Sequence, residues 1–117
     1  MPSEKPARRL LDIIENARAI RSYTAGLDAV TFEENRLVRD AVERCLERIS
    51  EAVVKLGELA PVLLPGQPWR DIRALGNRLR HDYDDINQDR LWEIVNHDLP
   101  LLVADCEAAY RKLHDGG

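Results

Sequence analysis

The stretch 69–83 holds four arginines, a histidine and a tyrosine within fifteen residues. As an α-helix, which turns about 100° per residue, the stretch has an apolar stripe formed by Ile72, Leu75 and Leu79. Trp69 and Gly76 lie at the edge of this stripe. The opposite side carries two cations, an amide and an imidazole in a single row: Arg70, Arg73, Asn77 and His81. Tyr83 adds a phenol just beyond the row. The spacing predicts a helix with one buried face and one face equipped for chemistry.

The chemistry that fits these residue types is acid–base catalysis on a phosphodiester. An imidazole such as that of His81 takes or gives a proton near neutral pH, and guanidinium groups hold phosphate oxygens through paired hydrogen bonds. RNA brings its own nucleophile in the 2′-hydroxyl, so such a site could cleave RNA without a metal. Alternatively, Arg78 and Arg80 pair with neighbouring aspartates on a merely charged surface, and Asn77 caps a break in the helix rather than orienting a catalytic partner. The residues alone leave both interpretations open.

Other chemistries have less support. His97 and His114 do not lie at metal-ligand spacing from His81, and the aspartates that follow His81 lack the glycine and distal glutamate of a calcium loop. The serines stand in a tail or within helix patterns, not in the strained turn of a nucleophile. Cys45 and Cys106 follow no metal or redox spacing, so we expect buried free thiols. We expect neither a metal nor another cofactor.

Composition indicates one domain, which we place at 1–117. Hydrophobic residues make up 44% of the chain but aromatic residues only 5%, so aliphatic side chains must fill the core, which favours helix packing. The net charge of -4 excludes a uniformly basic nucleic-acid-binding surface but permits a local basic patch. Since the sequence shows no signal peptide and no membrane-spanning stretch, we expect a cytoplasmic protein without membrane contact.

Hydrophobic periodicity predicts helices and no strands. The first helix should run from Ala7 to a left-handed cap at Gly26. A capping box at Thr31 and Glu34 should open a long central helix of about 28 residues, or 40 Å. The proline-rich stretch 61–68 should end that helix and lead into the basic one.

The C-terminal part should form a fourth helix, capped by Asn87 or Asp85. Pro100 must kink or restart this helix, with Asp98 as a possible second cap and an end near Leu113. These elements predict an all-α, up-and-down bundle of four to five helices, with flexible residues at 1–6 and 114–117. The central helix has a longer apolar stripe than one neighbour can cover, which favours a homodimer.

Residues 77–83, Asn-Arg-Leu-Arg-His-Asp-Tyr, resemble the motif of the HepT-like proteins, also called the DUF86 family, of the HEPN superfamily. The similarity continues in Ile86, in Leu-Trp-Glu-Ile-Val at 91–95 and in Asp-Leu-Pro-Leu-Leu at 98–102. It also includes Leu-Leu-Asp-Ile-Ile at 10–14, the turn at 22–27 and the helix at 40–52. The resemblance therefore covers nearly the whole chain.

The resemblance implies a HEPN-like helical dimer whose two subunits place their motifs across a shared cleft. It implies a metal-independent endoribonuclease toxin of a bacterial toxin–antitoxin pair, with RNA as substrate. The implied partner is a minimal nucleotidyltransferase antitoxin, which transfers AMP onto the motif tyrosine and joins the toxin in a larger hetero-oligomer. Carried over to this chain, His81 is the catalytic histidine and Tyr83 is the tyrosine that receives AMP.

The chain departs from the family pattern, Arg-x4-His-x-Tyr, at one position. Gly76 stands five residues before His81, where the motif arginine belongs. We expect Arg73, one turn earlier, to replace that arginine and to form the catalytic group with His81 and Asn77. Three further arginines should bind phosphate: Arg70, Arg78 and Arg80. Because catalysis depends on geometry at the ångström level, the alternative is a degenerate, non-enzymatic subunit that only binds the nucleotidyltransferase.

Overall fold

A computed structural model describes residues 4–81 and 87–115, and within these ranges every regular element is helical and none is a strand. This confirms the predicted all-α fold. The helices are α1 (Glu4–Thr24), α2 (Ala29–Glu34), α3 (Arg36–Leu56), α4 (Leu59–Leu63), α5 (Trp69–His81), α6 (Gln88–Glu93), a π-helical turn (Ile94–Asp98) and α7 (Leu99–Asp115). The predicted flexible ends fall partly outside the described ranges, and α1 begins at Glu4, before the predicted Ala7. The dimer stays a prediction.

Helix α3 lies at the centre of the bundle, with α1 and α5 packed against it and α7 packed against α1. Its apolar stripe is buried from Val42 to the end of the helix and includes Val42, Cys45, Ile49, Val53 and Leu56. The core is almost entirely aliphatic, as the low aromatic content requires. Because α5 packs directly on this central helix, the position of the basic stretch is determined by the core.

The predicted start of the central helix was wrong. Thr31 does not cap it: Thr31 is the third residue of the short helix α2, whose cap is Asp28. The Asp28 carboxylate accepts a hydrogen bond from the Thr31 backbone N–H at 2.9 Å, and the Thr31 hydroxyl accepts one from the Asp28 N–H at 2.8 Å. Asn35 ends α2 and caps α3, since its side-chain oxygen accepts from the Val38 N–H at 3.0 Å. The stretch that was predicted to form one helix therefore contains a break at Asn35.

The predicted length of the central helix was also too great. Helix α3 has 21 residues, not about 28, because Gly57 ends it with a φ of 56° that side chains rarely adopt. The N–H of Gly57 donates to the carbonyls of Val53 and Val54. Pro61 then lies within the short helix α4 rather than ending the long one. At the end of α1, Gly26 has a φ of 80°, which confirms the predicted left-handed turn.

The C-terminal segment is helical without interruption from Gln88 to Asp115. Asn87 caps it, as predicted, by accepting hydrogen bonds from the Asp89 and Arg90 N–H groups at 2.8 and 3.2 Å. Pro100 does not restart the helix, and the predicted second cap at Asp98 was wrong. The turn before Pro100 widens into a π turn, in which the Leu99 N–H donates to the Ile94 carbonyl. The wider turn accommodates a proline ring that would otherwise crowd the preceding carbonyl.

The prediction about the two cysteines is confirmed. Cys45 and Cys106 are buried free thiols. Trp69 is buried in the core, and Trp92 packs on the buried ring of Phe32 with ring centroids 5.0 Å apart. No helix in the described part of the chain is both long enough and apolar enough to cross a bilayer.

Candidate active site on helix α5

Helix α5 is anchored to the core at both ends. At its first residue, the buried Trp69 donates a hydrogen bond from Nε1 to the Leu64 carbonyl at 2.8 Å. In its last turn Leu79 is buried, and between the two ends Ile72 and Leu75 are half-buried. This confirms the predicted helix and its apolar stripe. The opposite side chains are therefore presented from a rigid support.

Gly76 is buried at the closest approach of α5 to α3, not at the edge of the buried stripe where we expected it. A Cβ at this position would overlap the Cβ and Oγ atoms of Ser50, which is itself buried on α3. The two backbones can lie this close only because residue 76 has no side chain. The position of the missing motif arginine is thus a packing contact between two helices.

The predicted row on α5 divides into exposed and half-buried members. Arg70, Asn77 and His81 are exposed to solvent. Arg73 is half-buried, and its Nε atom is buried without a hydrogen-bond partner among the described residues. Arg73 is therefore directed partly towards the core, whereas Asn77 and His81, four residues apart, share an exposed surface.

The exposed surface near His81 is held together by a hydrogen bond from Arg80. The Nη2 atom of Arg80 donates to the Asn77 side-chain oxygen at 2.8 Å. Arg78, Arg80 and His81 all lie in the last turn of α5, where positive charge is favoured by the helix dipole. Asn77 thus restrains a neighbouring guanidinium group, and its predicted role of orienting a catalytic partner stays a prediction.

Arg78 lies on a different side of the helix, at the rim of a groove of about 280 Å³ between α5, α3 and the C-terminal helices. Ile72, Leu75 and other aliphatic side chains form its floor, and Arg90 lies on the same rim. Arg90 pairs with Glu93 at 2.6 Å and with Asp98 at 3.3 Å. The sequence does not mark Arg90 as a residue of this groove, because its i,i+3 spacing to Glu93 is typical of any helix surface.

Ser50 was also missed as a residue that shapes the site. The sequence held one signal for it, a small polar residue on an otherwise apolar stripe, but not which helix would pack there. Tyr83 and the aspartates Asp82, Asp84 and Asp85 lie outside the described residues. Among residues 4–81 and 87–115, no three His, Cys, Asp or Glu side chains gather in a group that could hold a metal ion.

The exposed end of α5 has the groups needed to bind and protonate an anion. The Arg80 guanidinium carries five N–H donors, of which Asn77 accepts one, so the remainder can bond to phosphate oxygens. His81 is next in sequence and is exposed, so its imidazole can exchange protons with a bound ligand. This arrangement can hold an oxyanion and transfer a proton beside it.

The sequence pattern of the family described as Ribonuclease HepT-like matches residues 13–109, which include α5 and the Ser50 contact. The chain belongs to the HepT-like ribonuclease family. A relative from Methanocaldococcus jannaschii, named "Putative RNase MJ1380", is 35% identical over 98 residues, covering 84% of this chain and 90% of the relative. A relative from Thermococcus cleftensis, named "Probable ribonuclease HepT", is 31% identical over 98 residues, covering 84% and 89%.

No solved structure matches this HepT-like chain at a significant level. The family match is therefore one of sequence, and the packing of Gly76 against Ser50 comes from this structure alone. The matched range ends within α7, so it includes the whole bundle except part of α1 and the end of α7.

Proposed function

We propose that the protein is a metal-independent endoribonuclease and the toxin of a toxin–antitoxin pair. Membership of the HepT-like family and the RNase names of its relatives support the ribonuclease part. The observation that carries the proposal is the exposed His81, next in sequence to Arg80, whose guanidinium is held by Asn77. A proton-transfer group and a candidate phosphate-binding group thus both lie in the last turn of one rigid helix.

The proposed reaction uses the RNA 2′-hydroxyl as nucleophile. Its oxygen forms a bond to the adjacent phosphorus, and the bond from phosphorus to the 5′-oxygen breaks. One proton leaves the 2′-hydroxyl and one is delivered to the departing 5′-oxygen, which yields a 2′,3′-cyclic phosphate and a 5′-hydroxyl. His81 takes or gives one of these protons, and guanidinium groups stabilise the charge that develops on the phosphate oxygens.

A homodimer would complete this scheme. One histidine can act as base or as acid in a single step, whereas the reaction needs both. A second copy across a shared cleft would bring a second His81 and a second set of arginines. The charge on α5 would then be doubled along the path of the RNA, although the chain as a whole has a net charge of -4.

The proposed regulation acts on Tyr83, two residues after His81. A nucleotidyltransferase antitoxin would transfer AMP from ATP to the phenol, with loss of pyrophosphate. The added nucleotide carries bulk and negative charge, so it would occupy the space beside the arginines and repel the RNA backbone.

The decisive experiment induces the wild-type protein and His81→Ala side by side in a bacterial host. We expect growth arrest with the wild type and normal growth with the variant, because only the imidazole is removed from an exposed position. The purified, unmodified protein should also cleave total RNA in the presence of EDTA. Absence of both arrest and cleavage would refute the nuclease. Intact mass should rise by AMP units after co-expression with the antitoxin, and Tyr83→Phe should show no rise.

One observation favours a second candidate, a non-enzymatic subunit that only binds the nucleotidyltransferase. Gly76 replaces the motif arginine, and the contact with Ser50 leaves no room for any side chain there. This candidate predicts a stable complex with the nucleotidyltransferase and no RNA cleavage by the free protein. The cleavage assay in EDTA therefore separates the two candidates.

A further inference from the structure

The close contact between Gly76 and Ser50 determines where a phosphate-binding arginine can stand. Because a Cβ at residue 76 would overlap Ser50, the backbone geometry itself excludes an arginine at the motif position. The guanidinium must therefore come from elsewhere on α5. The arginines near Gly76 on the same helix are Arg73, Arg78 and Arg80. Arg78 lines the groove between α5, α3 and the C-terminal helices. The remaining candidates are Arg73 and Arg80, each about one turn from Gly76.

Arg80 reaches back over Gly76. Its Nη1 atom lies 3.6 Å from the position that a Cβ of residue 76 would occupy. Helical side chains lean towards the N-terminus of their helix and cover the turn before their own Cα, so a residue at i+4 is placed to do this. The guanidinium of Arg80 therefore occupies space beside the position from which the motif side chain would start.

Arg80 is also held in place and remains accessible. The bond from Nη2 to the Asn77 oxygen, at 2.8 Å, restrains the guanidinium plane and uses one of its five donors. Asn77, Arg80 and His81 are all exposed, so the remaining donors of Arg80 and the imidazole of His81 are accessible from solvent. Arg73 lacks this access at its Nε, which is buried.

We propose that Arg80 replaces the missing motif arginine as the phosphate-binding catalytic residue, and that Asn77 is the positioning residue that orients it. Arg73, which the sequence favoured for this role, is half-buried and has its Nε shielded from solvent. The proposal rests on the proposed ribonuclease function and specifies which guanidinium that function uses.

The test measures kcat/KM for cleavage of a short single-stranded RNA in EDTA. Arg80→Ala should lower it by roughly 10²–10³, the usual effect of removing one preorganised donor to a charged transition state. Asn77→Ala should lower it by about tenfold, as loss of an orienting partner does. Arg111→Ala, a control at an exposed arginine of α7 outside the site, should stay close to the wild type. Arg73→Met, which removes the competing guanidinium and keeps the apolar stem, should lower it far less than Arg80→Ala does. Methylguanidine should restore part of the activity of Arg80→Ala.

A double variant tests whether Asn77 acts through Arg80. If it does, Asn77→Ala has no further effect once Arg80→Ala is present, so the effects of the two substitutions are not additive. Additive losses, or an Arg80→Ala enzyme as active as Arg111→Ala, would overturn the proposal. Circular dichroism melting of each variant distinguishes a loss of chemistry from a loss of folding.

Binding separates this proposal from the nuclease function. Fluorescence anisotropy with a 2′-O-methyl single-stranded RNA, which lacks the nucleophile, reports phosphate contact without cleavage. If the wild type cleaves no RNA but Arg80→Ala binds this probe more weakly than Arg111→Ala does, the nuclease proposal fails and the assignment of Arg80 to phosphate binding holds. Equal binding by the two variants overturns the assignment, whether or not the wild type is active.

Discussion

The contact between Gly76 and Ser50 predicts that Gly76→Ala destabilises the protein, which is the opposite of the usual effect of this substitution in a helix. Replacing glycine by alanine inside a helix normally stabilises a protein by up to about 1 kcal/mol. At residue 76 the new methyl group would overlap Ser50 Cβ, which is attached to the backbone and cannot rotate away. Helix α5 would have to move away from α3, and this would loosen the packing of Trp69 and Leu79.

The expected size follows from these two opposing effects. Overpacking of a core costs about 1–3 kcal/mol, and the rigid contact here places the cost near the upper end. After subtracting the helix-propensity gain of about 1 kcal/mol, Gly76→Ala should destabilise the protein by about 2 kcal/mol. For a chain of 117 residues this corresponds to a fall in Tm of about 8 °C.

Thermal unfolding of a small set of variants tests this reasoning. Gly66→Ala is the matched control, since nothing lies within 4 Å of the new methyl group; it should be neutral or slightly stabilising. Ser50→Gly should rescue Gly76→Ala because it removes the Cβ, giving a coupling energy of about 3 kcal/mol, the overlap cost without the helix-propensity gain. Ser50→Ala should rescue less because it retains the Cβ. If Gly76→Ala raises Tm as much as Gly66→Ala, the close contact is refuted.

Three further predictions concern the caps and buried ionisable groups. Asn35→Ala should lower the free energy of unfolding by about 1 kcal/mol and speed hydrogen exchange at the Val38 N–H, because this N–H loses its hydrogen bond to the Asn35 side chain. An unchanged exchange rate at Val38 would contradict the helix break before α3. Burial is the main cause that raises the pKa of Glu43, and the negative charge of Asp40 is the second. Glu43→Gln should therefore raise Tm at neutral pH but not in acid, where the wild-type carboxyl is already protonated. Burial raises the pKa of Cys106 from 9.0 to about 12, and the negative charges of Asp105 and Glu107 contribute to the same shift. The folded protein therefore keeps this thiol protonated to a higher pH than the unfolded chain does, and its stability falls as the pH rises through that interval. Cys106→Ala should lessen the fall of Tm over that interval, and parallel curves for both proteins would refute the effect.

Much of the fold could be predicted from the sequence because each helix carries its own local signals. The apolar periodicity of α1, α3 and α5, the left-handed turn at Gly26 and the cap at Asn87 depend on residues close together in the chain. The errors also have local causes. Thr31 with Glu34 fits a capping box as well as Asp28 with Thr31 does, and the apolar stripe continues across the break at Asn35.

The candidate site was predictable in its composition and not in its arrangement. The types and order of residues on α5, together with the family resemblance, were enough to select His81, Asn77 and the arginines as candidate site residues. Periodicity gives the direction of each side chain around one helix to within a few tens of degrees. It therefore placed Arg73 beside Asn77 on the row and could not tell that the Arg73 Nε would be buried.

The sequence by itself determined that this is a HepT-like helical protein with a histidine and several arginines on one amphipathic helix. Only the tertiary structure decided why the motif arginine is absent and which arginine stands nearest its place. The reason is the distance between α3 and α5, which depends on Ser50 and Gly76, residues far apart in the chain and without any shared local pattern. Where two helices approach this closely, Gly76 is required by packing, and the guanidinium that lies beside its position is that of Arg80, one turn later.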